Sequence, residues 1–150
     1  YMVALMTELL DIHEDHRVLD VGTGSGYQAA VLASLAREIH TIEIQQSLLE
    51  SAETRFAELG LTNIHAHCGD GSQGLVEFAP FDRIVVAAGT PVVPDALRTQ
   101  LSPNDGKMVI PVGPSTIQEL LVVTRSGNGY TQTKHGGCIF VPLLGRHGWS

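Results

Sequence analysis

The glycine-rich run at residues 22–26, Gly-Thr-Gly-Ser-Gly, is the part of the sequence best suited to hold a small molecule. Glycine permits left-handed backbone and lets a ligand approach the main chain closely. The glycines are spaced Gly-x-Gly-x-Gly, and Tyr27 stands where a dinucleotide fingerprint requires its third glycine. No Gly-Lys-Ser/Thr follows, so the run is not a phosphate loop either. The spacing therefore favours a ligand that carries no pyrophosphate.

Two acidic residues follow the glycine run at positions that suit a nucleoside. Glu43 lies 21 residues after Gly22, where an acid accepts hydrogen bonds from a ribose diol in related folds. Asp70, between Gly69 and Gly71, is a candidate acceptor for the exocyclic amine of adenine. Together with the glycine run, these acids point to S-adenosyl-L-methionine.

Plainer interpretations remain open for each of these residues. The glycines serve equally in a tight turn, Glu43 in a solvated strand end, and Asp70 in a turn that binds its own backbone. We expect Asp20, just before the loop, to brace it through backbone hydrogen bonds. His65 and His67 share one face of a strand, but no third metal ligand is evident, so we predict surface histidines and no metal site.

The hydrophobic pattern predicts the elements that position these residues. A glycine-containing turn at 127–129 and the scarcity of helix after residue 107 indicate an antiparallel hairpin at one edge. The prediction is a doubly wound, mostly parallel, seven-stranded α/β sheet in one domain, residues 1–150. Its helices are residues 1–10, Tyr27–Arg37, a helix opened by a capping box at Ser47, and Pro94–Leu101; its strands are Arg17–Val21, Glu38–Ile44, Asn63–Cys68, Phe81–Ala88, Lys107–Val112, Gln118–Thr124 and Cys138–Leu143, with a turn at 103–106.

Composition narrows the class of partner. The net charge of −7 disfavours nucleic acid, which normally requires a basic face. No apolar run approaches the ~18 residues of a membrane span. Cys68 and Cys138 have no metal-type spacing, so we expect reduced thiols in a cytoplasmic protein. The oligomeric state is not predicted.

Several segments together resemble one enzyme family, the protein-L-isoaspartate O-methyltransferases. The resemblance extends over essentially the whole chain. The segments with Pro-Phe-Asp, Ile-Pro-Val-Gly and Phe-Val-Pro-Leu are more specific to the family than the glycine run, which many methyltransferases share. The matching segments are Val18–Ala33, Asp70-Gly71, Ala79-Pro80-Phe81-Asp82, Ile110-Pro111-Val112-Gly113, Gln118-Glu119-Leu120 and Phe140-Val141-Pro142-Leu143.

The resemblance implies an activity and a set of binding residues. Members of this family methylate the abnormal carboxylate of isoaspartyl residues, which begins the repair of aged proteins. A carboxylate is ionised at pH 7, so the transfer needs neither a general base nor a metal, and we name no catalytic residue. By resemblance, the cofactor-binding residues are Gly22, Thr23, Gly24, Ser25, Gly26, Glu43, Ile44, Asp70 and Gly71, with Met2 and Val3 lying over the cofactor, and the peptide site is lined by Ile139, Phe140, Val141 and Pro142.

The chain also departs from the family. Ser72 stands where members often carry an aromatic residue, and Asn104-Asp105 replaces a glycine-rich turn. Members have a preceding stretch that ends in a Thr-Ile-Ser-like motif at the active site, and this sequence begins just after it. We therefore expect a chain that binds cofactor but is weak or inactive in methyl transfer. The alternatives are a methyltransferase for a small molecule or RNA, a nicotinamide-binding dehydrogenase domain, and a non-catalytic cofactor-binding module.

Overall fold

The computed structural model describes all 150 residues as one seven-stranded sheet with helices on both faces. The strand order is β3-β2-β1-β4-β5-β6-β7; the pairs β5–β6 and β6–β7 are antiparallel and the other four pairs are parallel. The predicted fold class is confirmed. The helices are α1 (Met2–Leu10), α2 (Tyr27–Ala33), α3 (Gln46–Glu58) and α4 (Asp95–Arg98), and the strands are β1 (Arg17–Val21), β2 (Glu38–Glu43), β3 (Ile64–Cys68), β4 (Arg83–Val86), β5 (Asn104–Val112), β6 (Gln118–Ser126) and β7 (Gly129–Cys138).

The central strands are buried on both faces because helices cover the sheet from both sides. Successive side chains point to opposite faces, so Val18 joins the core under α1, α2 and α3 while Leu19 joins the core under α4. All four residues of β4 are buried. This explains why the apolar run at 84–88 reads without alternation. No helix of the structure is both long enough and apolar enough to cross a membrane.

The last strand lies elsewhere than predicted. The expected hairpin tip at 127–129 is present, but β7 continues directly from it as Gly129–Cys138. The prediction of a strand at Cys138–Leu143 is wrong because β7 is an edge strand with mostly exposed, polar residues and carries no apolar signal. The apolar residues 139–143 instead lie beside the segment just after β4, where Gly89 and Pro142 form an isolated β-bridge.

Several element ends also differ from the prediction. The second helix ends at Ala33 rather than Arg37, and α4 covers only part of Pro94–Leu101. The capping box is absent, since α3 begins after Gln45 with no side-chain cap. The turn predicted at 103–106 is the start of β5, where Asp105 forms a bulge with a φ of 60°. These ends depend on tertiary contacts that local patterns do not contain.

Candidate functional site

An open pocket lies at the carboxyl ends of β1, β2 and β4. Chain connections leave β1 and β4 in opposite directions there, which is where open α/β sheets bind ligands. Its volume is about 190 Å³, which is smaller than the roughly 300–1,000 Å³ of enclosed small-molecule sites. The walls are mostly apolar and comprise Gly22, Gly24, Ile42, Glu43, Ile44, Gln45, Leu48, Gly71, Ala87, Ala88, Val141, Pro142, Leu143 and Leu144.

The glycine loop is held in place by its own main-chain hydrogen bonds. The N–H groups of Gly22 and Thr23 donate to the carbonyl of Ile42, at 2.9 and 3.3 Å, and that of Gly26 donates to Thr23 at 2.9 Å. The Gly24 N–H donates to Glu43 Oε1 at 2.9 Å. Since these N–H groups already donate to protein acceptors, they are not free to bind phosphate oxygens. Its shape is fixed without a ligand.

Glu43 supplies the one carboxylate in the pocket wall. Its side chain is almost buried, and its two oxygens accept from the N–H groups of Gly24 and Gln45, at 2.9 and 3.1 Å. A carboxylate offers about four acceptor positions, so each oxygen keeps one for a ligand hydroxyl. The acid singled out by its spacing therefore lies in the pocket wall, and its chemistry fits a ribose diol.

Asp20 is connected to the loop by hydroxyl groups. Thr41 Oγ1 donates to Asp20 Oδ2 at 2.9 Å and lies 2.5 Å from Thr23 Oγ1. The expectation of backbone hydrogen bonds is wrong, because Thr41 on the neighbouring strand lies between the carboxylate and the loop. Asp20 Oδ1 is buried without a partner. Complete burial raises the pKa of this carboxyl to about 7.

Asp70 is fully occupied by its own chain. Oδ1 accepts from the amide and the hydroxyl of Ser72, and Oδ2 accepts from Gln73 Nε2 and the Arg146 N–H, all within 3.0 Å. Burial alone would raise the pKa, but hydrogen bonds from Arg146, Ser72 and Gln73 hold the pKa of Asp70 at about 2. Gly71, and not Asp70, contributes to the pocket wall.

The segment at 139–144, which we call the C-terminal strap, closes one side of the pocket. Val141 and Pro142 line it, while Phe140 packs against the core and Ile139 is 76% exposed. The Gly89 N–H donates to Val141, and the Gly89 carbonyl accepts from the Leu143 N–H, both at 2.8 Å. The four residues predicted to line a peptide site thus face three different surroundings: the pocket, the core and solvent.

Other predicted binding residues lie away from this pocket. Met2 packs against the core on the α1 side, and Val3 lines a separate groove with Tyr27. Neither residue lines the pocket, since α1 packs against β4 and β5, and their position over a bound cofactor stays a prediction. The Thr23 side chain is buried, and Ser25 and Gly26 face a second groove beside Phe56. Gly22, Gly24 and Ile44 do line the pocket.

Two features of the site were not predicted from the sequence. Ala87 and Ala88 follow β4 and line the pocket, and the predicted doubly wound fold contained enough information to place them there. Gln118 is 3% exposed, and its Oε1 accepts from the Phe140 N–H while its Nε2 donates to Pro114, both at 2.8 Å. It anchors the C-terminal strap, and its only sequence signal is its place in a family-like motif.

Comparison with known proteins identifies the family. The family model described as protein-L-isoaspartate(D-aspartate) O-methyltransferase matches residues 1–148. The chain belongs to this family. It is 47% identical over 149 residues to protein-L-isoaspartate O-methyltransferase of Dictyoglomus thermophilum, covering 99% of this chain and 67% of that protein. Identity is 51% over 151 residues to protein-L-isoaspartate O-methyltransferase 2 of Marinobacter nauticus, covering 99% of this chain and 68% of that protein.

A solved structure of a protein-L-isoaspartate O-methyltransferase superposes with a TM-score of 0.89. It is 28% identical and covers 98% of this chain, and this chain covers 48% of it. The chain thus spans about two thirds of the curated relatives and about half of the solved one. The family resemblance based on the short motifs is confirmed, and the matched part contains the glycine loop, Glu43 and the C-terminal strap.

Proposed function

We propose that this chain binds S-adenosyl-L-methionine in the pocket beside Glu43 and takes part in methylating the free carboxylate of L-isoaspartyl residues in damaged proteins. The observation that supports this most directly is Glu43 itself, a carboxylate with spare acceptor positions in a mostly apolar pocket next to a preformed glycine loop. Family membership supports the choice of reaction and acceptor. Two free cysteines are consistent with a reducing, cytoplasmic location.

The residues present fit the cofactor in their chemistry. Glu43 would accept from the ribose hydroxyls, Ile44 and Leu48 would flank the base, and Gly22 and Gly24 would admit the methionine part close to the main chain. When bound, S-adenosyl-L-methionine supplies an electrophilic methyl group, which a carboxylate accepts to become a methyl ester. Thr23, Ser25, Gly26, Asp70 and Gly71 shape the loops that hold these contacts, as described above.

The protein's contribution to such a transfer is orientation and exclusion of water. The acceptor carboxylate is ionised at neutral pH, so no residue has to remove a proton from it. The anionic acceptor and the cationic cofactor both lose their charge in the reaction. A pocket with apolar walls therefore favours the reaction, because it stabilises separate ions less than water does. The C-terminal strap supplies part of this wall through Val141, Pro142 and Leu143, and exposed Ile139 and Val141 are the side chains available to a bound peptide.

Glu43→Gln tests the assignment of the pocket. Loss of the charged acceptor should weaken binding of S-adenosylhomocysteine by about 10- to 100-fold, since a hydrogen bond to a charged group contributes about 1.5–3 kcal/mol. Isothermal titration calorimetry measures the affinity, with Glu53→Gln on the exposed side of α3 as the matched control. Equal affinity in the two variants, or tight binding of NAD in place of S-adenosylhomocysteine, would contradict the cofactor proposal.

The acceptor requires a separate assay. Transfer of labelled methyl from S-adenosyl-L-methionine should occur to a peptide with one isoaspartyl residue and not to the same peptide with a normal aspartyl residue. The product should be labile to base, as a methyl ester is. Transfer to RNA or to a metabolite extract, and not to the isoaspartyl peptide, would contradict the isoaspartyl part while leaving the cofactor site intact.

A further inference from the structure

We propose that Glu38, His40 and His65 form a binding site for a divalent transition-metal ion of the zinc class. The site lies on the face of β2 and β3 and does not depend on the proposed function. Glu38 begins β2, whereas Glu43 ends it, so these two residues lie about 16 Å apart along the strand at 3.3 Å per residue. None of the three residues lines the pocket described above.

Strand register brings the three side chains together. His40 and His65 are direct partners in the parallel pairing of β2 with β3, and Glu38 precedes His40 by two residues. Side chains two apart on a strand point to the same face, and cross-strand partners are neighbours. Glu38, His40 and His65 are therefore placed on one face by the backbone itself, before any side-chain adjustment.

The donor atoms are spaced as a metal ion requires, with a small adjustment. Glu38 Oε2 lies 3.5 Å from His40 Nε2 and 3.8 Å from His65 Nε2, and all three atoms lie within 4.8 Å of one another. These distances are too long for good hydrogen bonds. Ligands at 2.0–2.1 Å around tetrahedral zinc lie about 3.3 Å apart. Rotation of the half-exposed His65 ring can close the difference.

The surroundings orient two of the ligands. His40 Nδ1 lies 3.0 Å from His67 Nε2. In the tautomer in which Nδ1 donates to His67, Nε2 of His40 presents its lone pair to the site, as histidine ligands do when a second group holds their other nitrogen. Arg17 donates to Glu38 Oε1 at 2.5 Å, which leaves Oε2 for the ion. Phe78 stacks on His40 with ring centres 4.5 Å apart and helps to bury it.

The exposure of the ligands gives the ion a route and an open coordination position. The His65 side chain is 51% exposed and that of Glu38 is 22% exposed, while that of His40 is 5% exposed. Solvent reaches the site from the His65 side, where water can supply the fourth ligand. Two imidazoles with one carboxylate are a donor set that zinc accepts in proteins.

Titration of the untagged protein with zinc chloride tests the proposal. One ion should bind per chain, and His65→Gln should weaken it by at least the 10- to 100-fold that loss of a second-sphere partner typically causes. Because His65 is half exposed, this variant should remain folded, which a thermal melt checks. Glu38→Gln should weaken the same site. His67→Phe should lower the affinity by about 10-fold without changing the stoichiometry.

Two control variants distinguish zinc binding at this site from zinc binding by a thiol or by another histidine. Cys68 follows His67 on β3, and His135 lies on the exposed strand β7. The variants Cys68→Ser and His135→Gln should each bind zinc as the unaltered chain does. Cobalt(II) should give the visible absorption of a low-coordinate nitrogen–oxygen site, and His65→Gln should abolish it. Absence of one-to-one binding, binding that survives both His65→Gln and Glu38→Gln, or binding lost in Cys68→Ser would overturn the proposal.

Discussion

At the residue scale, Asp20 connects the chemistry of the candidate site to the stability of the protein. Its carboxyl is fully buried next to Thr41, and burial raises its pKa from an ordinary value of 3.8 to about 7. A raised folded-state pKa means that the folded chain binds the proton more tightly than the unfolded chain. The resulting stabilisation is complete below about pH 4 and is lost as the pH rises through 7.

Asp20→Asn should remove this pH dependence. Because one pKa unit corresponds to 1.36 kcal/mol, the original chain should lose about 2 kcal/mol of unfolding free energy relative to the variant between pH 5 and pH 7. Urea unfolding of both proteins at several pH values measures the difference. A difference that stays constant from pH 5 to pH 8 would show that Asp20 ionises normally in the folded state.

Gly26 combines an unusual backbone with a close neighbour. Its φ is 86°, and a Cβ there would lie 2.8 Å from the Phe56 ring. Gly60 provides a matched control, since its φ is 69° and a Cβ at that position would have no neighbour within 4 Å. Gly60→Ala should cost about 1 kcal/mol for the backbone alone, and Gly26→Ala about 2 kcal/mol more for overpacking. Equal costs in urea unfolding would contradict the steric argument.

Single residues of the site differ in how far the sequence could place them. Glu43 and the loop glycines were predictable, because their distance along the chain fixes them at the ends of adjacent strands. The hydroxyl relay from Asp20 through Thr41 to Thr23 was not, since it depends on which strand becomes the neighbour. The proposed metal site could not be predicted from the sequence for the same reason. His65 and His67 gain His40 and Glu38 as partners only once β2 pairs with β3.

At the scale of elements, the C-terminal strap shows that an apolar segment need not be a strand. The pattern at 138–143 predicted the last strand, whereas the polar residues 129–138 occupy the sheet edge. An edge strand is mostly solvated, so its sequence carries little apolar signal, and charged or polar residues there also discourage pairing with other chains. Within the strap, Phe140 and Leu143 pack against the core and Pro142 lines the pocket. Ile139 and Val141 remain mostly exposed.

Gln118→Ala should release the strap. The variant loses the acceptor for the Phe140 N–H, and a buried hydrogen bond of this kind contributes about 1–3 kcal/mol. Amide exchange over residues 139–143 should therefore become about 10- to 100-fold faster, while exchange in β1 and β4 stays unchanged. Gln132→Ala on β7 is the control. Unchanged exchange over the strap would show that the backbone bonds to Gly89 hold it alone.

At the scale of the whole molecule, one buried guanidinium connects three parts of the chain. Arg83 on β4 donates to carbonyl groups of Leu10 and Asp11 at the end of α1, of Asp82, and of Asp105 in the bulge of β5. Burial lowers its pKa from the usual range. No local pattern indicates this role, because the four carbonyls come from segments up to 73 residues away. The doubly wound topology was predictable; this junction was not.

Arg83→Lys should destabilise the whole chain. Lysine keeps the charge but lacks the planar fork, so several buried carbonyls lose their donor. We expect a loss of about 2–4 kcal/mol in unfolding free energy by urea titration, against less than about 0.5 kcal/mol for Arg37→Lys, whose side chain is 60% exposed. Similar midpoints for the two variants would contradict the role of Arg83. That residues 1–150 unfold as one domain stays a prediction.

Because Asp70 already accepts four hydrogen bonds, any ligand bound by this carboxylate would compete with part of the chain. Three of its four donors are local, but the fourth, the Arg146 N–H, comes from a remote loop. A ligand amine that reached this carboxylate would have to displace a donor, and the remote one is the easiest to remove. By thermodynamic reciprocity, releasing residues 145–147 would then strengthen the ligand by the same factor by which the ligand loosens them. Affinity measured on variants of this loop would reveal that exchange.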